Sequence, residues 1–312
     1  MIVRWGIDAL GAVVPGEYLL VASERWPGLA ASARWTEVPS SRIDEAAALA
    51  RDCVVALGGG SAVDLGKAVS ARAGVPLVSV PTTYAGAEWT TYYGIREPDR
   101  RAVGGGGGAQ LYAVVYEPRL TLDLPRETTV GTAMNALAHC AEALYVQGHN
   151  EAADEDALEG ARLIGASLPR VVEAPHDVES RTELLRGACH AGRALGGSML
   201  ALAHAMAQAV GGRYGLPHGP LNGICLPPAL RFNEQLVPEA VARFRAALGR
   251  DVEELAALAS PGGGGPVRLG NLGVPEDDLP ELAAAAAGRP GNRANPRPGS
   301  ADEIEELLRS VF

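Results

Sequence analysis

Apolar residues recur with two different periods along this chain, and the change of period divides it. In the first part the runs are short: EYLLVAS, ARWTEV, DCVVALGGG and VPLVSVPTT each hold a few consecutive Val, Leu or Tyr residues and then reach turn-forming ones. That is the pattern of strands buried in a sheet. Between them, SRIDEAAALAR and SAVDLGKAVSARAG have the spacing of helices, and the first opens on Ser-Ser and Asp-Glu, which predicts a capped N-terminus. Strands alternating with helices predict an α/β unit with a mostly parallel sheet. About ten residues, including Pro27, join EYLLVAS to ARWTEV, so a crossover helix there is expected to be stunted.

After LTLDLP (Leu120–Pro125) the pattern turns helical and stays so. The predicted helices lie in TTVGTAMNALAHCAEALYV, NEAADEDALEGARLIGASLPRVVEA, SRTELLRGACHAGRALGGSMLALAHAMAQAVGGRY, PEAVARFRAALG, VEELAALAS, LPELAAAAAGR and ADEIEELLRSVF. The expected division is an α/β domain over 1–124 and an all-α domain over 125–312, with the proline after Leu124 punctuating the change. Two glycine runs, Gly104–Gly108 and Gly262–Gly265, read as flexible loops, the first alternatively as the border of a ligand cleft.

With 312 residues, 47% hydrophobic and 21% charged, the chain has the composition of a globular protein with a sizeable core. No apolar run reaches the length of a membrane span, and Asp8 interrupts the short apolar start. The cytoplasm is therefore the expected compartment. Cys53, Cys140, Cys189 and Cys225 lack CxxC spacing and lie among apolar residues, which predicts buried reduced thiols. A formal charge of −10 without a Lys/Arg cluster argues against a nucleic-acid partner.

Candidate chemistry begins at CVVALGGGSAVDLGKAVS, where three glycines and a serine follow a buried strand and open a helix. Glycines let a ligand approach the backbone closely, and the N–H groups and positive dipole end of a helix favour a phosphate. The stretch matches neither GxGxxG nor GxxxxGK[ST]. GGGSAVDLGKAVS, followed by VPTTYAGAEWT, VVYEPRLTLDLP, GTAMNALAHCAEALY, LPHG and NPRPGSADEIEELL, resembles in order and spacing the signatures of the iron-containing alcohol dehydrogenase superfamily. The MNALAH run is similar to the maleylacetate reductase branch. The resemblance spans roughly Cys53 to the C-terminus.

It implies a Rossmann-like dinucleotide-binding domain, a helical substrate domain of the dehydroquinate synthase-like kind, an NAD(P)H cofactor between them, and a homodimer. By position, Gly59, Gly60 and Ser61 would cradle the pyrophosphate, Thr82 and Thr83 would line the cofactor, and Asp64 would close the turn or face the cleft. Lys67, one helical turn beyond, is expected to be solvated, and Arg101 falls near a cofactor-contacting lysine of the family. Glu24 or Arg25 would meet the adenosine ribose, leaving NAD and NADP both open.

Metal-dependent members join one Asp and three His on a divalent cation. The matching positions here are Asn135, His139, His204 and His218. Four residues separate Asn135 from His139, placing both on one helix face, but the only anionic ligand is missing. Three imidazoles can still hold zinc. The expectation is a metal-independent reductase of a small oxo-acid or carbonyl-conjugated C=C, with His204 or His218 donating the proton, His139 and Asn135 orienting the substrate oxygen, and Tyr84 near the same site. Gln208 and Asn222 stand where relatives carry histidines, and Tyr112 where the reductases tend to carry a basic residue. His149, His176 and His190 are read as surface or packing residues. The alternatives are a metal-dependent alcohol dehydrogenase or sugar-phosphate cyclase of the same fold, and an idle nucleotide-binding relative.

Overall fold

The computed structural model describes residues 1–260 and 267–312; the second glycine run, Gly262–Gly265, lies outside the described residues. The chain divides into two compact units, one of Met1–Thr83 with Ala87–Thr121, the other of Tyr84–Gly86 with Leu122–Phe312.

The strands of the first unit are β1 (Ile2–Trp5), β2 (Tyr18–Val21), β3 (Ala33–Trp35), β4 (Cys53–Gly58), β5 (Pro76–Pro81), β6 (Tyr93–Arg96), β7 (Ala102–Gly106) and β8 (Gln110–Tyr116). Its helices are α1 (Leu10–Val13), α2 (Ile43–Ala48) and α3 (Gly60–Ala73). Six strands form one sheet in the order β1-β8-β5-β4-β2-β3, and every pair in it is parallel. Alternation sorts the side chains: Cys53, Val55 and Leu57 pack on one face with Leu10 and Val13, while Val54 and Ala56 pack on the other with Ala46, Leu65 and Val69. Both faces are covered, which is why these strands read as unbroken apolar runs. No helix separates β2 from β3, as the short, proline-containing link predicts.

Three local expectations fail here. The glycine run Gly104–Gly108 is not simply a loop: its first three residues lie in β7, antiparallel to β6 with Tyr93 opposite Gly106 and Ile95 opposite Gly104. A backbone ladder needs no side chains, and a Cβ on Gly106 would stand 2.7 Å from the Tyr93 hydroxyl oxygen. Lys67 is 1% exposed rather than solvated. Its ammonium donates to the Tyr92 carbonyl (2.6 Å) and the Thr90 hydroxyl (3.2 Å), and pairs with Asp64 (3.1 Å). Helix α2 has no side-chain cap: it starts at Ile43 with Arg42 at the N-cap, and Ser40 Oγ accepts from Arg42 N ahead of the helix.

The second unit is helical: α4 (Arg126–Ala143), α5 (Glu151–Glu173), α6 (Val178–Gly196), α7 (Leu202–Tyr214), α8 (His218–Glu234), α9 (Pro238–Leu248), α10 (Val252–Ala257), α11 (Leu279–Ala287), α12 (Pro290–Ala294) and α13 (Ala301–Arg309). The long run expected as one helix breaks after Gly196 into α6 and α7. Helix α8 has no counterpart among the predicted helices, and it contains Pro227 and Pro228, which disfavour a helix interior. They sit inside it, where burial of Leu221, Cys225, Leu226, Ala229 and Leu230 overrides the local cost. None of the four cysteines forms a disulfide and all are buried; burial pushes the Cys53 thiol up to about 11 and that of Cys225 to about 12. No helix among the described residues is long and apolar enough to cross a membrane.

Candidate active site

In the first unit, β4 ends at Gly58 and α3 begins at Gly60, with Gly59 as its N-cap. Gly58 has φ 150°, which L side chains rarely adopt, and a Cβ there would lie 2.7 Å from the Ala62 methyl. A Cβ on Gly59 would lie 2.9 Å from Thr83 Cγ2. The turn is therefore closed to any larger residue. No side chain caps α3, so its first N–H groups, from Gly60 and Ser61, are presented at the helix end as an anion site would require. Thr82 donates its N–H to the Gly58 carbonyl (3.0 Å), fixing the two neighbouring strand ends together.

Asp64 does not close this turn. Besides Lys67, it accepts from Gly94 N (3.3 Å) and so holds β6 against α3. Arg101 lies exposed between β6 and β7 beside Asp99, and Arg25 lies over the Trp26 ring at 5.1 Å. An apolar hollow lined by Ile7, Trp26, Pro27, Leu29, Leu57 and Leu120 opens at the carboxyl end of β4, where ligands of parallel sheets bind.

In the second unit, the four positions of the inherited ligand set fall on α4, α7 and α8. Asn135 and His139 share one face of α4, with Asn135 Nδ2 3.4 Å from His139 Nε2. The His139 and His204 rings stack at 4.8 Å and 8°. His218 begins α8 and is exposed; its Nδ1 would lie 3.9 Å from a Cβ on Gly211. The left-handed Gly215 ends α7 and turns the chain so that His218 returns beside that helix.

Both ends of the Asn135 amide are committed. Its Nδ2 donates to the Ala85 carbonyl (2.9 Å), and its Oδ1 accepts from Asn222 Nδ2 (2.6 Å). Asn222 thus serves Asn135. Burial, reinforced by His204 and His218, holds the His139 imidazole well below its ordinary value, so this ring is neutral at physiological pH. With Nε2 accepting from Asn135, its proton sits on Nδ1. That atom is buried without a partner, against Gly86, whose absent Cβ would stand 3.4 Å away. Among the described residues no group of three or more His, Cys, Asp or Glu side chains is arranged to hold a metal ion.

Glu142 is a site residue that motif reading missed. It is fully buried on α4, one turn beyond His139, and accepts three hydrogen bonds: from His204 Nδ1 (2.6 Å), His204 N (3.1 Å) and Ala201 N (2.8 Å). One carboxylate from α4 thus caps α7, which has no side-chain cap of its own, and fixes the His204 ring. With Nδ1 donating to Glu142, the other ring nitrogen of His204, Nε2, is buried without a hydrogen-bond partner. A signal was present: Glu142 is the only acidic or basic side chain, histidine aside, between Gly131 and Val146.

Tyr84 does not open onto the histidines. It is completely buried and its hydroxyl accepts from Arg181 Nη1 (3.1 Å). Tyr112 projects from β8 into solvent. His190 pairs with Asp156 (2.7 Å) and His149 lies 3.6 Å from Asp154.

Residues 129–312 match the Fe-containing alcohol dehydrogenase family, C-terminal, and residues 34–115 match the iron-containing alcohol dehydrogenase family. A maleylacetate reductase of Burkholderia cepacia is 39% identical over 273 residues, covering 86% of this chain and 76% of that protein. Another, from Sphingobium indicum, is 39% identical over 277 residues, 87% of this chain and 78% of that protein. The crystal structure of maleylacetate reductase from Agrobacterium tumefaciens superposes with a TM-score of 0.86 at 30% identity, covering 100% of this chain and 95% of that one. A putative alcohol dehydrogenase from Ralstonia eutropha JMP134 reaches 0.88 at 34% identity, with coverage of 100% and 95%. The chain belongs to the iron-containing alcohol dehydrogenase family, in its maleylacetate reductase branch, and is an NAD(P)-dependent oxidoreductase.

Proposed function

We propose that the protein is a metal-independent reductase of a small oxo-acid or of a C=C conjugated to a carbonyl. The observation that carries this reading is the state of Asn135. The one position where a metal-binding relative would place an anion holds a neutral amide, and its oxygen is already bonded to Asn222 at 2.6 Å. His139 Nε2 faces the Asn135 amide nitrogen, so two of the four inherited donors are turned to each other. A divalent cation fits poorly among them, since it would have to break both contacts without gaining a charge.

The first unit fits NAD(P)H: the glycine turn and α3 N-terminus for the pyrophosphate, and the apolar hollow for the adenine ring. Bound there, NAD(P)H supplies the hydride. What this chain must add is a proton for the atom that gains negative charge. His204 is the donor we assign. As an imidazolium it gives the Nε2 proton to the substrate oxygen and ends neutral, with Nδ1–H still donating to Glu142. Neutral His139, stacked on the same ring, adds no positive charge beside it and shields that face from water. Asn135 holds His139 in place, and His218 borders the same face of α7 from α8.

Steady-state oxidation of NADH and NADPH against a panel of oxo-acids, enones and aldehydes tests the reading. Turnover of oxo-acids or enones is expected. Tight NAD(P)H binding with no substrate consumed would contradict it, as would turnover confined to simple alcohols and aldehydes.

A further inference from the structure

Helix α7 carries more than His204 on the face that bears it. His204, Gln208, Gly211 and Gly212 follow at spacings of four, seven and eight, which places them on one stripe of the helix. Over the middle of that stripe lies Arg289, the residue before α12. Its Nη2 donates to the Gln208 carbonyl (3.0 Å), its Nη1 reaches Gln208 Oε1 at 3.5 Å, and Nη2 would touch a Cβ on Gly212 at 3.5 Å. Its Nε is buried and has no partner. Among the described residues no carboxylate lies within ion-pairing distance of it, whereas neighbouring Arg213 has both Asp278 and Glu281. Burial, with nothing to offset it, pulls the Arg289 guanidinium below its ordinary value.

A half-buried guanidinium held by one amide and a main-chain oxygen is a cation without its anion. Arginine offers a planar fork that matches a carboxylate with two parallel hydrogen bonds. The Gln208 side-chain contact, at the limit of hydrogen-bonding distance, is weak and readily exchanged for a charged partner. Gln208 stands one helical turn, about 6 Å along the axis, from His204. A ligand lying along α7 with its reacting oxygen at His204 Nε2 and a carboxylate several bonds away would extend toward Gln208 and the Arg289 guanidinium.

We propose that Arg289 binds a carboxylate of the substrate and that Gln208 holds its guanidinium ready until the substrate arrives. The proposal rests on the reductase reading above and supplies a cation for an acidic substrate. It makes Arg289 and Gln208 the residues that separate oxo-acids from neutral carbonyl compounds.

The test uses the full chain with Arg289→Met, Arg289→Lys and Gln208→Glu. KM is measured for the best oxo-acid and for its neutral methyl ester, and binding of a non-reactive dicarboxylate to the NADH-bound protein is followed by calorimetry. Arg289→Met is expected to raise KM for the acid by about 100-fold while the ester loses far less. Arg289→Lys should recover part of the loss. Gln208→Glu retains the arginine but gives it an internal carboxylate, so it should raise KM for the acid by about tenfold in a protein that folds normally. Equal losses on acid and ester, or acid KM unchanged in Arg289→Met, would overturn the proposal. The calorimetric arm needs no turnover. If the wild type binds the dicarboxylate and Arg289→Met does not, the anion site stands even where every oxo-acid fails as a substrate, and only the reductase reading falls. If neither binds, the anion site falls.

Discussion

The glycine turn of the first unit and the histidine group of the second are built on opposite principles. Gly58 and Gly59 act by having no side chains: φ 150° at Gly58 and the closeness of Ala62 and Thr83 demand glycine, and what the turn presents is backbone N–H groups at the uncapped start of α3. The histidine group acts through side chains whose setting comes from elsewhere, Glu142 reaching His204 across 62 residues and Asn222 reaching Asn135 across 87. The first kind of site tolerates no added atom. The second tolerates none being removed.

Substitutions sharpen that contrast in descending order of effect. His204→Gln deletes the assigned proton donor and should lower kcat by about 10²–10⁴-fold while NAD(P)H binding, read by fluorescence titration, holds. Glu142→Gln keeps the shape but removes the charge that fixes His204, with an expected fall in kcat of about 10–100-fold and a changed pH–rate profile. An unaltered profile would reduce Glu142 to a helix cap. Asn135→Asp restores the missing anion but loses the hydrogen bond to Ala85 O and sets a carboxylate against His139 Nε2. It should cost about 1–3 kcal/mol in chemical denaturation and gain affinity for divalent metal by direct metal analysis.

On the glycine side, Gly59→Ala forces a methyl to within 2.9 Å of Thr83 Cγ2. It should raise KM for the cofactor by about tenfold, equivalent to about 1.4 kcal/mol, with kcat at saturation changed less. The smallest effect is on stability. His139 is neutral when folded because burial depresses its pKa, whereas the unfolded chain takes up that proton near pH 6.5. Below that pH the unfolded state binds more protons, so stability is lost as pH falls toward the folded value. Melting temperature between neutrality and about pH 5 should fall less steeply in His139→Gln than in the wild type. Parallel curves would mean that His139 is not the group responsible.

The same contrast explains what the sequence disclosed. The parallel sheet, α3, most of the helices and the glycine turn were legible because each depends on local period or on glycine at a sharp strand-to-helix junction. The spacing of Asn135, His139, His204 and His218 pointed to one group, and the structure sets His139 against both Asn135 and His204, with His218 beside Gly211 of α7. Lys67 was misread because its partners, the Tyr92 carbonyl and Thr90, lie beyond an intervening strand. Helix α8 was missed; it contains Pro227 and Pro228, and burial is not visible in local propensity. Arg289 gave no signal, being defined by its closeness to Gln208, 81 residues earlier.

The most direct test of metal-independent proton donation by the His204–Glu142 pair is the rate of NAD(P)H oxidation by chelator-treated protein whose metal content has been measured. Full activity at negligible metal content, unaltered by added zinc or iron, is the expected result. Stoichiometric metal in the active protein, with activity lost on its removal and restored on its return, would contradict it.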